Sequence, residues 1–185
     1  MIALIIDIPL PPQTASRPTW GSRGKVSGSM YMPAGYRRWR ERFSKWLDSY
    51  LEKTDDELMT YLTHLSDGRP IVNVWTRTKR NGDKEKRHIF VDDFCGYFVK
   101  TIFILKRPNG NLRPYPLAGN TPDLDNLQKA VIDGIFESDE AKYLKLNDRW
   151  IQESVSQKRY TKIDSDEEPH IELEIRRIEL GRGYT

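Results

Sequence analysis

Large apolar residues recur at spacings of three and four between Tyr36 and Leu51, and this periodicity constrains the fold more than any other feature of the sequence. The stripe consists of Tyr36, Trp39, Phe43, Trp46, Leu47, Tyr50 and Leu51. It predicts an amphipathic helix whose other face carries Arg37, Arg38, Arg40 and Arg42. Such a helix needs an apolar surface to pack on. A chain of 185 residues, 37% of them hydrophobic, is long enough to supply one domain with a core.

Four other segments have the composition of β-strands. The run Ile2–Ile8 is almost continuously apolar, which predicts a strand buried on both faces that ends at Pro9. Tyr97–Leu105, Trp150–Tyr160 and His170–Ile178 are rich in β-branched or alternating apolar residues and are also predicted strands. The order of these elements predicts an α+β fold, a single domain with a mixed β-sheet flanked by helices.

The middle of the chain predicts a second helix and a hairpin. Thr54 and Glu57 have the spacing of a capping box, which predicts that a short helix begins there. Asn81-Gly82 separates two strand-like segments, Ile71–Thr78 and Lys86–Val91, and favours a hairpin turn. We interpret residues 50–95 as a helical and hairpin insertion within one domain that spans residues 1–185.

The charge is distributed unevenly, although the net charge is only +3. Residues 1–45 contain eight basic side chains against Asp7 and Glu41, and residues 77–87 contain six against two acidic ones. The first block includes a basic, aromatic segment, Gln13–Pro33, that has the composition of a surface loop. Its Arg17, Arg23 and Lys25 are candidate contacts to DNA phosphates, and a solvated loop without a ligand is the alternative.

Cysteine and hydropathy exclude several classes of protein. The single Cys95 allows no internal disulfide, and no Cys/His cluster offers a zinc site, so a metal would be held by oxygen atoms. No apolar run approaches the ~20 residues that span a bilayer, and Met1–Ile8 has no basic leader. We therefore expect a soluble protein that makes no use of a membrane.

Two carboxylates lie at the start of a predicted helix, Asp123–Phe136. Asp123 and Asp125 are two residues apart, so an extended backbone would direct both to the same side, where they could bind Mg²⁺ or Mn²⁺. Lys129 follows one turn later and could stabilise the charge of a phosphoryl transition state. The alternative is structural: aspartates that cap the helix, and an Asp125–Lys129–Asp133 series of ion pairs along one face.

A second cluster follows downstream. Asn147-Asp148 lies just before a predicted strand, and from there Asp148 could approach the helix start and complete a metal site. Glu153 and Lys158 lie on the strand itself.

These motifs resemble a known signature. The string PDLDNLQKAVID from Pro122 to Asp133, then Asn147-Asp148, Ile151 and Lys158, is similar to that of the RusA family of Holliday-junction resolvases. The opening and closing strands are also similar to the ends of that family. The resemblance implies a RusA-like fold and a Mg²⁺-dependent endonuclease that leaves 5′-phosphate ends. It also implies a homodimer that cuts four-way junctions and other branched DNA.

The resemblance also implies roles for individual residues. Asp123, Asp125 and Asp148 would be the metal ligands and, with Lys129, the catalytic residues; Asp133, Asn147 and Glu153 would lie behind them, and Lys158 would contact DNA. Asn147 stands where the family has an acidic residue, and the segment before it contains Glu137, Asp139 and Glu140, any of which could replace Asp148 as the third ligand.

The biological setting comes from the same resemblance. The family occurs in bacteria and their phages, which implies the cytoplasm of a bacterial host or phage-infected cell and a role in DNA recombination or repair. The residues do not distinguish a four-way junction from a fork or a flap. A nucleic-acid-binding protein without catalytic activity is the alternative from another class.

Overall fold

The computed structural model describes residues 3–15, 19–20, 30–63, 71–90, 94–117, 121–144 and 146–179. In chain order, the elements are β1 (Ala3–Ile8), β2 (Thr19–Trp20), β3 (Met30–Tyr31), α1 (Ala34–Lys53), α2 (Glu57–Thr63), β4 (Ile71–Thr78), β5 (Lys84–Phe90), β6 (Phe94–Leu105), α3 (Leu124–Phe136), α4 (Asp139–Tyr143), a 3₁₀ turn (Asp148–Trp150), β7 (Ile151–Tyr160) and β8 (His170–Glu179).

Four strands form a mixed sheet in the order β1-β8-β6-β7. β8 is antiparallel to both of its neighbours, whereas β6 and β7 are parallel. Parallel neighbours need a long crossover connection. Here the crossover contains α3, α4 and the 3₁₀ turn, so one connection carries Asp123, Asp125, Lys129 and Asp148. The predicted α+β class, a single domain with a mixed sheet and helices, is confirmed.

The core lies on one face of this sheet. Along β1, Leu4, Ile6 and Ile8 are buried, while Ile5 is 74% exposed. The prediction that this strand is buried on both faces is therefore wrong. β1 is an edge strand, and at Ile5 the second face of the sheet has no cover, so an apolar run alternates between core and solvent.

The aromatic stripe of α1 packs into the core as predicted. Tyr36, Trp39, Phe43, Leu47 and Leu51 are buried. Successive rings from Trp39 through Phe43 and Trp46 to Tyr50 have centroids 5.0, 5.3 and 5.4 Å apart, which is the spacing of favourable aromatic pairs. The Trp39 indole also donates a 2.9 Å hydrogen bond to the Pro11 carbonyl, which joins α1 to the chain that leaves β1.

The capping box expected at Thr54 is not formed. The Thr54 hydroxyl donates to the Tyr50 carbonyl at 2.9 Å and so closes α1. α2 begins only at Glu57, after Asp55 and Asp56 with φ of 50° and 57°. The Glu57 N–H donates instead to the Thr54 backbone carbonyl at 3.1 Å, so the backbone closes the turn before α2.

The hairpin around Asn81-Gly82 is confirmed, with β4 and β5 forming a two-stranded sheet of their own. That residues 50–95 are an insertion stays a prediction. Within the segment predicted as a loop, the short strands β2 and β3 pair with each other. No helix among the described residues combines the length and the apolarity needed to cross a membrane.

Candidate metal and DNA site

The start of α3 leaves two carboxylates available. Asp123 has an extended backbone (φ −73°, ψ 141°) at the N-cap position, and its carbonyl accepts the first helical hydrogen bond from Leu127 at 3.0 Å. Its side chain makes no capping hydrogen bond. Asp125 follows in the first helical turn, and both residues are exposed. The capping alternative for Asp123 is therefore not what the structure shows. A carboxylate that makes no capping hydrogen bond is available to bind a ligand.

Lys129 lies one helical turn beyond Asp125, but its ion pair is with Asp133, one turn further along α3. Its ammonium is 3.0 Å from the Asp133 carboxylate, and the side chains are 57% and 13% exposed respectively. The lysine side chain is thus far more exposed to solvent than the carboxylate that holds it. An ammonium has three donors, so Lys129 can contact a phosphate without leaving Asp133.

Asp133 faces the interface between α1 and α3. Its neighbours there are Tyr36 and Arg40 of α1, and Arg40 makes a 2.7 Å ion pair with Glu137. Burial raises the pKa of the Tyr36 hydroxyl, an effect that Arg40 opposes. These polar contacts link α1 to the face of α3 that carries Lys129 and Asp133.

Asp148 begins the 3₁₀ turn that precedes β7 and is exposed. The Asn147 side-chain oxygen accepts a 3.1 Å hydrogen bond from the Arg149 backbone and so shapes the turn. The turn contacts α3 and the start of β6. At that contact Gly96 has φ +136°, and a Cβ atom there would lie 2.5 Å from the Trp150 carbonyl oxygen. Only glycine lets β6 approach the turn this closely.

Lys158 connects the two segments that carry the carboxylates. It lies on β7, in register with Phe103 of β6, and its side chain is half-buried. The ammonium donates to the Pro122 carbonyl at 2.7 Å and to the Thr121 hydroxyl at 3.3 Å. Pro122 directly precedes Asp123, so this contact holds the loop from which α3 begins.

Glu153 is not brought to the site. Strand residues alternate between faces, so Glu153 and Lys158, five residues apart on β7, point to opposite sides of the sheet. The 3.0 Å contact between the Ser156 and Thr101 hydroxyls marks the core side, which Ser156 shares with Lys158. Glu153 therefore faces away from α3.

The three alternatives to Asp148 have other surroundings. The Glu137 carboxylate is engaged by Arg40. Asp139 and Glu140 begin α4 and line a groove with Asp48 and Glu52 at the far end of α1. Arg17, Arg23 and Lys25 lie outside the described residues. The described chain before them ends at Ala15, whose backbone N–H donates to the Asn126 carbonyl at 2.8 Å, beside the start of α3.

The donor chemistry of Asp123, Asp125 and Asp148 suits a hard divalent cation, because oxygen ligands are those that Mg²⁺ and Mn²⁺ prefer. None of the three carboxylates has a hydrogen bond or ion pair with another residue that the structure describes. Within the described ranges, no three Asp, Glu, His or Cys side chains are grouped closely enough to hold a metal ion. The three carboxylates thus fit a divalent cation by their chemistry and their freedom from competing partners, but the structure does not hold them close enough together to form its site.

Some features of the site were not predicted from the sequence. They are the close approach at Gly96, the Arg40–Glu137 pair and the attachment of Lys158 to Pro122. A glycine within a run of β-branched and aromatic residues is the signal that could have identified the first. The other two depend on how α1 and β7 are oriented, for which a sequence offers no local signal.

Comparison with known proteins identifies the family. The family model of endodeoxyribonuclease RusA matches residues 9–176, a range that includes the start of α3, the 3₁₀ turn and β7. No curated protein matches the chain. Since the match covers most of the sequence, including all four candidate catalytic residues, the chain belongs to the RusA family of endodeoxyribonucleases.

Proposed function

We propose that this endodeoxyribonuclease resolves four-way DNA junctions by metal-dependent phosphodiester hydrolysis. The observation that carries the proposal is the start of α3, where Asp123 and Asp125 have no described partner and Lys129 reaches solvent one turn away. The turn with Asp148 contacts the same helix. The alternatives support Asp148 as the third ligand, because Glu137 is paired with Arg40, and Asp139 and Glu140 line a groove at the far end of α1.

In the proposed reaction, water attacks the phosphorus and the bond to the 3′ oxygen breaks, which leaves a 5′-phosphate and a 3′-hydroxyl. Asp123, Asp125 and Asp148 would hold Mg²⁺ or Mn²⁺, which would activate the water and neutralise developing charge. The Lys129 ammonium would contact a phosphate oxygen or the leaving oxygen, while Asp133 keeps it oriented.

The remaining partners belong to the same proposal. A homodimer would present two sites to the two strands that a four-way junction offers for symmetric cuts. Arg17, Arg23 and Lys25 would bind phosphates, and their joint replacement by alanine would then lower junction affinity at physiological salt. Junction resolution would place the protein in recombination or repair in the cytoplasm of a bacterial or phage-infected cell.

Cleavage of a synthetic mobile four-way junction tests the proposal, with a fork, a flap and a plain duplex alongside. The wild type should make paired nicks in the junction only with Mg²⁺ or Mn²⁺. Asp125→Asn and Lys129→Ala should each lose about 100-fold or more in rate. Asp166→Asn, which changes an exposed carboxylate in the turn before β8, is the matched control and should cut normally.

Three outcomes separate the alternatives. Preferential cutting of the fork or the flap would replace the junction as the substrate. Binding without cleavage of any substrate in either metal would indicate a binding protein. For the third ligand, Asp148→Asn should lower Mn²⁺ affinity in calorimetric titration of the DNA-free protein, and an effect of Asp139→Asn instead would overturn that assignment.

A further inference from the structure

The exposed face of α1 changes sign along its length. The segment from Arg37 to Lys45 presents Arg37, Arg38, Arg42 and Lys45 to solvent, with Glu41 as the acidic residue among them. None of the four basic side chains makes a hydrogen bond or ion pair with another described residue. This segment of about two helical turns therefore exposes four unpaired cations against one carboxylate.

This basic face lies beside the candidate site. α1 and α3 pack side by side on the core face of the sheet, with the Phe43 ring against Gly134 and Arg40 paired with Glu137. Two helices packed on one face of a sheet turn their outer surfaces in the same direction. The exposed side chains of Asp125 and Lys129 on α3 therefore belong to the same surface as the segment of α1 from Arg37 to Lys45.

The end of α1 borders an acidic groove, although Lys53 is also exposed there. Seven residues line this groove, six of them carboxylates: Asp48, Leu51, Glu52, Asp55, Asp56, Asp139 and Glu140. Of these, Asp48 follows Lys45 by less than one helical turn. A polyanion that lies on the segment from Arg37 to Lys45 therefore meets repulsion at the groove.

We infer that the segment of α1 from Arg37 to Lys45 is a track for the phosphate backbone of one DNA arm, and that the acidic groove marks where this arm ends. The inference rests on the proposed DNA substrate. From Arg38 to Lys45 the helix rises about 10 Å, the axial length of about three base-pair steps. The track is long enough for several phosphates of one strand, and its contacts carry no base specificity.

The salt dependence of DNA binding tests the track without any cleavage step. Junction affinity would be measured over a series of salt concentrations in EDTA, for the wild type and for Arg38→Gln/Arg42→Gln. Each lost phosphate contact lowers the slope of log K against log salt by about 0.9, so the double variant should lose about 1.8. Lys53→Gln/Lys142→Gln removes the same charge from exposed positions near the acidic groove and should leave the slope within about 0.3 of wild type.

A second pair of measurements tests the boundary. Glu52→Gln/Asp55→Asn/Asp56→Asn removes three of the carboxylates, and asparagine tolerates the positive φ of residues 55 and 56. This variant should bind a long duplex more tightly than wild type, and an unchanged affinity would overturn the boundary.

The track is overturned if the slope of Arg38→Gln/Arg42→Gln equals that of wild type, or if the control pair loses as much. Thermal unfolding by circular dichroism checks that the variants are folded, and either single variant, with an expected loss of about 0.9, substitutes for a double variant that is not. Failure of the nuclease proposal would be distinct, because it would appear as absent cleavage with the slopes unaffected.

Discussion

Lys158 shows how one side chain can set the position of the loop that carries a candidate site. Its ammonium is bonded to the Pro122 carbonyl and to the Thr121 hydroxyl, so it is engaged by the loop before Asp123. Lys158→Met should lower the rate of junction cleavage about 10- to 100-fold, since a hydrogen bond to a charged group contributes about 1.5–3 kcal/mol. The concentration of Mg²⁺ for half-maximal rate should rise.

Two readouts distinguish this positioning role from direct phosphate binding. The salt dependence of junction affinity should be unchanged in Lys158→Met, whereas loss of a phosphate ligand would lower its slope by about 0.9. Lys158→Arg, which keeps a cationic donor, should recover part of the rate. A reduced slope with a normal rate would contradict the positioning role.

Glu167 makes a pH-dependent contribution to stability. Its carboxylate accepts from both terminal nitrogens of Arg159 at 2.9 and 2.8 Å and from the Lys162 backbone at 2.6 Å. The hydrogen bond from Arg159 is the largest cause that lowers the pKa of Glu167 from 4.5 to about 2. A carboxyl group with a lowered pKa in the folded state stabilises the fold above its unfolded pKa and loses that contribution as the pH falls.

Glu167→Gln should therefore lower the free energy of unfolding at pH 7, and the difference from wild type should shrink between pH 4.5 and about 2. Urea unfolding over this pH range measures it. Glu168→Gln, at an exposed neighbouring position, should show little difference at any pH. A gap between Glu167→Gln and wild type that stays constant down to pH 2 would contradict the assignment.

At the residue scale, the sequence offers candidate carboxylates but not the contacts of the lysines. Asp123, Asp125 and Asp148 are candidates because carboxylate spacing at a helix start and before a strand is a local pattern, and their role as ligands stays a prediction. The direction of Lys158 depends on which face of β7 its position occupies, and that follows from the register with β6. The same register turns Glu153 away from α3.

At the scale of elements, α1 and α3 are closely packed at Gly134. A Cβ atom at Gly134 would lie 2.7 Å from the Phe43 ring, which is itself buried. Gly134→Ala should therefore lower the free energy of unfolding by about 1 kcal/mol or more, because the cost of overpacking exceeds the gain in helix propensity.

Gly35→Ala is the matched control for this substitution. Gly35 lies in the first turn of α1 with no atom within 4 Å of an added Cβ, so its replacement should leave stability unchanged or slightly higher. Denaturant unfolding of both variants measures the difference. A Gly134→Ala protein as stable as wild type would show that Phe43 can move aside without cost.

Elements with strong periodicity were predicted well, and those defined by their neighbours were not. The apolar stripes of α1 and α3 depend on residues within each helix, and both helices are found within two residues of the predicted bounds. Burial of β1 on one face follows from its place at the sheet edge. The spacing of Thr54 and Glu57 predicted a side-chain cap for α2, whereas the Thr54 hydroxyl donates to the Tyr50 carbonyl of α1.

At the scale of the whole molecule, the class of fold followed from the order of elements, but the strand order did not. The parallel pairing of β6 and β7 is what places the start of α3 and the 3₁₀ turn on one crossover. A sequence in which carboxylates are more than 20 residues apart does not reveal that one connection carries them all. The family signature supplied that grouping without supplying its geometry.

The position of β1 has a consequence for how the chain is made. Among the described strands of the sheet, β1 pairs with β8 alone, and its partners are residues 171–176. A ribosome delivers β1 well before β8, so Leu4, Ile6 and Ile8 lack this partner strand until residues 171–176 have left the exit tunnel. The sheet therefore cannot close until β8 is made, and until then the nascent chain exposes an apolar strand that a chaperone could bind.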